Sequence, residues 1–320
     1  MENKGNSTEL RAQKSVEEGL EAYDKSSLGG EVSLLKEVIP FLKQVTSKNT
    51  VLTLLTKISH MHYERGEYWY ALKSLEEKLE IVRETGYRRE EIDTLIGIGH
   101  INLLLNNYWA VLKHFRRALS LIREVGDHVS ESTVLLGIGT AYERLKSYYL
   151  AIKCYEETAR ISHELGSLEG EGVGYLHAAK TYMKLGKYSA ALVSFWQAFR
   201  AMCGAGNLEG EGMALQGVGD AYYGLEDYEN ALRCYEETLD IYHELDDKSS
   251  EASVLRKIGK IYTDLEIYSY AIRYLDDALR VMDEIRPGDS EKIKRIIWEL
   301  KTLSKMSEMN KCLCNNQTKN

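Results

Sequence analysis

The amino-acid sequence predicts an all-α chain, a solenoid of antiparallel helix pairs stacked one on the next. Three observations carry this. First, the chain aligns with itself at a fixed spacing: CYEET at 154–158 returns at 234–238, LEGEG at 168–172 returns at 208–212, and LLGIG at 135–139 returns as LQGVG at 215–219. Second, apolar and small residues inside each repeat recur at steps of three and four, the spacing that lines one face of a helix. Third, the 320 residues include only two prolines, Pro40 and Pro287, and proline is the residue that breaks helices. A period without insertions means that each repeat packs on its predecessor in the same way.

Six repeats of forty residues follow without a break, at 51–90, 91–130, 131–170, 171–210, 211–250 and 251–290. Each is predicted to hold a helix A of about 14 residues, a tight turn, a helix B of about 17 and a joint. Helix A carries a small column, Ser59, Gly99, Gly139, Ala179, Gly219 and Gly259, followed three residues on by His62, Asn102, Tyr142, Tyr182, Tyr222 and Tyr262. Helix B opens on Tyr68, Tyr108, Tyr148, Tyr188, Tyr228 and Tyr268. Three residues later come Ala71, Val111, Ala151, Ala191, Ala231 and Ala271, and four beyond those Leu75, Phe115, Tyr155, Phe195, Tyr235 and Leu275. Small residues such as Gly139 and Ala151 let the paired helices approach, and a tyrosine covers each contact while its hydroxyl reaches water or a carbonyl. Glycines at the joints, Gly86, Gly126, Gly166 and Gly206, suit helices that end on a left-handed residue.

The ends are degenerate. Residues 1–10 are expected to be disordered, and 11–50 to form a degenerate capping repeat in which Pro40 kinks a helix or starts one. Residues 291–307, with Ile293, Ile296, Ile297, Trp298, Leu300 and Leu303, are expected to form an amphipathic helix that covers the last apolar face. A disordered tail, 308–320, follows.

Composition narrows the function classes. A net charge of −8 argues against general nucleic-acid binding. No apolar run approaches the length of a membrane span, and MENKGNSTELRAQ has no signal-type apolar region, so a cytoplasmic location is expected. Five cysteines in a long chain are not a disulfide framework. No phosphate-loop motif occurs, and GIGTAYERL and GVGDAYYGL lie inside a repeated helix with no preceding strand. His60 and His62 are two apart and do not share a helix face, so no zinc pair is read there. Cys312 and Cys314 lack a partner pair for a four-ligand site. Cys154 and Cys234 occupy one repeat position and read as packing residues, and Glu156–Glu157 and Glu236–Glu237 as a solvated face. No catalytic residue, cofactor or metal is expected, and the chain reads as non-enzymatic.

The pattern Gly219, Tyr222, Leu225, Tyr228, Ala231, Tyr235, Thr238, matched by Gly139, Tyr142, Tyr148, Ala151, Tyr155 and Thr158, resembles the tetratricopeptide repeat (TPR) family. With forty residues per repeat, it is most similar to the long-helix subclass of kinesin light chains, spindle-orientation adaptors and Rap-type regulators. The resemblance implies a right-handed superhelix whose A helices line a concave groove for an extended peptide or a partner's helix. Carried over by column, the groove would hold Ile96, Leu103, Leu136, Val173, Leu176, Met183 and Met213 as apolar walls, with Tyr223. Lys180 and Lys260 would anchor a carboxylate, and Glu143 and Asp220 would be their counter-charges. The alternative for any one of these residues is packing between adjacent A helices. His60, His100 and Thr140 stand where a chaperone-tail clamp would have asparagine, so no such clamp is implied.

A second feature lies just after the tyrosine column, where the first repeats place Trp69–Tyr70, Trp109 and Tyr149 and the fifth places Glu229. Large aromatics in a solvent position mark a contact surface, here a partner surface or a homodimer ridge. The alternative is that 11–50 folds back over them. The function expected is a non-enzymatic scaffold or adaptor that binds a protein or peptide. The alternative is a regulatory sensor of a small molecule or signalling peptide.

Overall fold

The computed structural model describes residues 48–285 and 291–317, with the side chains of Lys292 and of residues 306–317 left out. The expectations for 1–10 and for 11–47 fall outside the described residues. Every element among the described residues is an α-helix: α1 Lys48–Glu64, α2 Tyr68–Thr85, α3 Arg88–Leu104, α4 Tyr108–Val125, α5 His128–Arg144, α6 Tyr148–Glu164, α7 Leu168–Lys184, α8 Tyr188–Ala205, α9 Leu208–Gly224, α10 Tyr228–Glu244, α11 Lys248–Asp264, α12 Tyr268–Ile285 and α13 Glu291–Gln317. The A helices start at 48, 88, 128, 168, 208 and 248 and all have 17 residues. They are therefore longer than the sequence suggests. The reason is chemical: the joints end on cap residues, and the helix begins at once. Ser167, Asn207 and Asp247 accept the backbone N–H of Gly170, Gly210 and Ser250, the usual remedy for the orphan donors of a first turn. The expected repeat boundary at 51 accordingly falls inside α1.

Two compact bodies divide between Asp127 and His128. In the first, α1–α4 pack in sequence order, around a core in which Val51, Leu54, Leu55 and Ile58 meet Ile81 and Val82. In the second, α5–α13 do the same, and the A helix α7 also touches its neighbouring A helices α5 and α9 directly. Its largest apolar cluster joins Ala179, Ala191, Phe195, Ala198, Leu215 and Val218.

The small column explains the close pairing of A and B helices. A Cβ placed on Gly139 would lie 2.6 Å from the ring of Tyr155, one on Gly219 2.6 Å from that of Tyr235, and one on Gly99 2.0 Å from that of Phe115. The ring four residues beyond the alanine column thus fills the space that the glycine leaves. Tyr155, Tyr235 and Phe115 are among the largest fully buried side chains.

Left-handed residues stop the helices on a regular beat. They stand at 66, 106, 146, 186, 226 and 266 between A and B helices, and at 86, 126, 166, 206 and 246 at the joints, one every twenty positions. The joints are mostly glycine. Two of the six A–B turns use Gly66 and Gly186, and the other four use Asn106, Lys146, Glu226 and Glu266 at φ 57–61°, a conformation that costs an ordinary L-residue about 1–2 kcal/mol. Each turn recovers backbone hydrogen bonds: Lys146 N–H donates to Glu143 and Ser147 N–H to Tyr142, at 2.9 and 2.8 Å, the 5→2 and 6→1 pattern of a Schellman stop.

α13 packs on α12, burying Ile293, Ile297 and Leu300 against Ala271 and Leu275. Ile296, Trp298 and Leu303 remain exposed. The helix runs on to Gln317, past the 307 limit and through most of the expected disordered tail. Residues 308–317 contain neither Gly nor Pro, so no local signal stops the helix there.

Candidate functional site: the A-helix face and its polar ladder

In the first body, Ile96 and Leu103 of α3 are half-buried, and Trp69, Tyr70 and Trp109 are exposed on α2 and α4. Trp69 and Trp109 keep 67% and 73% of their surface open. Tyr70 stacks on the His62 ring, with centroids 5.4 Å apart.

The second body holds most of the candidate groove. Leu136, Val173, Met183, Met213 and Tyr223 are half-buried on α5, α7 and α9. Leu136 packs beside Tyr155 and Ala178, and Met183 and Met213 flank the cluster of α7–α10. Leu176 is not a groove residue: at 4% exposure it belongs to that core, because α7 turns this position into its contact with α8 and α9. Tyr149 is 66% exposed, and the Lys187 ammonium lies 4.8 Å from its ring centroid.

The charged groove residues are already partnered, in a pattern that the columns do not reveal. Glu143 accepts from the Tyr155 hydroxyl at 3.0 Å, from Thr181 Oγ1 at 3.2 Å and from Lys184. Burial by itself would raise its pKa; the bonds from Lys184, Tyr155 and Thr181 outweigh that and hold the carboxyl below its usual range. Asp220 accepts from the Tyr235 hydroxyl at 2.6 Å and from Lys257, 2.6 Å to Oδ2. The Tyr223 hydroxyl donates to Asp264 at 2.5 Å and accepts from Lys260. The counter-charges of Glu143 and Asp220 are therefore Lys184 and Lys257, not Lys180 and Lys260, and Lys260 is held by Tyr223 and Asp264. The same motif appears twice. A buried tyrosine fills the space at a glycine, its hydroxyl reaches a carboxylate on its own A helix, and a lysine of the next A helix closes the triad.

Lys180 and Arg256 have no hydrogen-bond or ion-pair partner among the described residues. Burial, with Lys184 beside it, lowers the Lys180 pKa, although Glu143 opposes this. His177, partly covered 5.1 Å from the Tyr155 ring, is pushed below the ordinary histidine range by burial and by Lys180, which favours the neutral imidazole at pH 7.

Sequence reasoning missed one further feature, a cleft of about 540 Å³ where α11, α12 and α13 meet. A signal was present: Arg256 occupies the column that holds Ile96, Leu136 and Leu176 in earlier repeats.

Among the described residues, no group of three or more His, Cys, Asp or Glu side chains could hold a metal ion. No described helix is long and apolar enough to cross a membrane. Cys154 is half-buried and Cys234 buried.

Stacked antiparallel helix pairs with a half-apolar A-helix face define a TPR-like helix-pair solenoid. By sequence, the chain belongs to the soluble NSF attachment protein (SNAP) family, whose family model matches residues 109–286. The resemblance read from the repeat columns did not point to that family, and the comparisons support the TPR-like fold without the forty-residue subclass. No curated protein sequence matches the chain. Among solved structures, apo RapI is 12% identical with a TM-score of 0.67, over 96% of this chain and 89% of that one. The apo quorum sensor NprR of B. thuringiensis is 15% identical with a TM-score of 0.56, over 91% and 86%. TPR-like repeats of a Podosopora anserina kinesin light chain are 13% identical with a TM-score of 0.52, over 61% and 96%. At these identities the likeness shows the fold.

Proposed function

We propose that this chain is a non-enzymatic scaffold that binds a peptide or helix of a protein partner along the A-helix face of its second body. The observation that carries the reading is the combination on α5, α7 and α9: half-exposed Val173, Met183 and Met213 beside Lys180, which has no partner among the described residues, and acidic groups that internal tyrosines and lysines already satisfy. Apolar surface with a few directed polar groups suits a peptide. A continuous basic stripe, which would suit nucleic acid, is missing from the described A-helix columns because Lys257 and Lys260 are neutralised locally. In the first body, Ile96 and Leu103 would serve the same role on α3. The family description, an attachment protein, agrees with a binding role outside catalysis, and a cytoplasmic location fits a chain that works on soluble or peripheral partners.

Capture of partners from a lysate with the parent chain and with a Val173→Asp/Lys180→Glu chain tests this. Lys180 is exposed and Val173 half-buried outside the apolar clusters, so circular dichroism should not change while the captured set is lost. Unchanged capture with an unchanged fold would move the site off this face.

A further inference from the structure

We infer that the cleft at the C-terminal end of the second body is a separate subsite for a protein segment that carries carboxylates between aliphatic side chains. The inference deepens the scaffold reading above and rests on it. The floor of the cleft is apolar, with Leu275 and Met282 of α12 and Ile293 and Ile296 of α13, and its lip is cationic, with Arg256 and Lys260 of α11. Leu275 and Ile293 are buried, while Ile296 keeps 43% of its surface open beside the cavity.

The charges at the lip decide the class of ligand. Lys257 is neutralised by Asp220, and Lys260 by Asp264 through a shared contact with Tyr223. Arg256 has no such partner among the described residues, so one cationic group is left to face a ligand, in a chain whose net charge is −8. A planar guanidinium takes a carboxylate through two parallel N–H donors. One free cation is too little for a polyanion such as nucleic acid, whose affinity grows with the number of neutralised phosphates. It is enough to orient a carboxylate whose aliphatic neighbours cover Ile296 and Met282. The Ser253 hydroxyl at the rim can bond the segment's backbone, and Thr263 Oγ1, which donates to the Gly259 carbonyl at 2.8 Å, can accept one of its N–H groups.

The test is fluorescence anisotropy on the full chain with three labelled synthetic peptides of equal length: alternating leucine and aspartate, leucine and lysine, and leucine and serine. The leucine–aspartate peptide should bind at least about tenfold more tightly than the other two. Arg256→Glu and Ile296→Asp, both at exposed positions, should each weaken it by about tenfold or more, and Glu237→Lys, on the solvent face of α10, should leave it unchanged. Should either variant lose helicity, Arg256→Gln or Ile296→Ser replaces it. Equal affinity for all three peptides, absence of binding, or full affinity in the Arg256 variants overturns the cleft. If binding instead falls with Lys180→Glu and not with Arg256→Glu, the A-helix face stands and the cleft fails. If the peptide result holds while Val173→Asp/Lys180→Glu leaves lysate capture intact, the cleft stands and the A-helix face fails.

Discussion

Tyr155 and Tyr235 serve two ends at once. Each ring occupies the space that a glycine vacates, and each hydroxyl reaches a carboxylate, Glu143 or Asp220. Gly219→Leu drives a branched side chain into the Tyr235 ring and displaces that hydroxyl from Asp220. It should cost about 1–3 kcal/mol, whereas Glu237→Leu on the solvent face should stay within about 0.5 kcal/mol. Denaturant midpoints of the two variants compare them directly, and equal small losses would mean that the A/B interface lies elsewhere. The same tyrosines make a pH prediction. Burial, joined by the neighbouring carboxylates, raises both phenol pKa values above the ordinary tyrosine value. A raised folded-state pKa means that the contribution to stability is complete below the unfolded value, about 10, and is lost as pH climbs beyond it. Stability should therefore fall above about pH 10, and the fall should be shallower in Tyr235→Phe, read as denaturant midpoint against pH.

At the scale of the element, the left-handed stops and the terminal helix set the limits of the stack. Glu226 holds φ 61° in the turn between α9 and α10. Glycine adopts this conformation without strain, so Glu226→Gly should raise stability by up to about 1 kcal/mol, less the added freedom of the unfolded chain. A loss on thermal melting would show that the Glu226 side chain makes a contact worth more than the strain. α13 covers Ala271 and Leu275 with Ile293, Ile297 and Leu300. A chain ending at Ser290 should expose that face and associate, because a solenoid needs a polar outer surface on its terminal repeat. Light scattering reads this. A monomeric truncated chain whose helicity drops only in proportion to its length would show that α13 is not a cap.

For the whole molecule, the exposed aromatics bear on self-association. Trp69, Trp109 and Tyr149 recur at one repeat position, and all three are largely open to water. A few such side chains commonly dominate an interface when a partner removes them from solvent. We expect Trp69→Glu/Trp109→Glu/Tyr149→Glu to convert a concentration-dependent dimer to monomer and to raise solubility, measured by sedimentation over a wide concentration range. A parent chain that is monomeric throughout, with blue-shifted tryptophan emission, would instead place these residues against the segment before residue 48. Trp196 and Trp298 lie in the second body, so the emission of Trp69 and Trp109 is read in a Trp196→Phe/Trp298→Phe background.

Much of the fold was written in the sequence by itself. The self-alignment, the steps of three and four and the scarcity of proline determine an all-α stack of helix pairs, because helix and turn depend on local spacing and every repeat states the same local rule. The small and aromatic columns likewise announce close pairing of A and B helices. The boundaries needed the folded chain: capping at Ser167, Asn207 and Asp247 adds three residues to the start of an A helix, and α13 continues through polar residues that carry no helix signal of their own. The site was legible only as a list of columns. Alignment places Lys180 and Lys260 level with Asp220 and three positions before the column of Glu143, but a lysine side chain spans about one helical turn in either direction. Which lysine meets which carboxylate is therefore decided by how neighbouring A helices are set against each other. Lys184 and Lys257 win those contacts, Leu176 is turned into the core, and the Arg256 cleft exists only because α13 packs back against the last pair. Local spacing determines which residues share a helix face, and tertiary packing decides which of those faces, and which of their charges, remain for a partner.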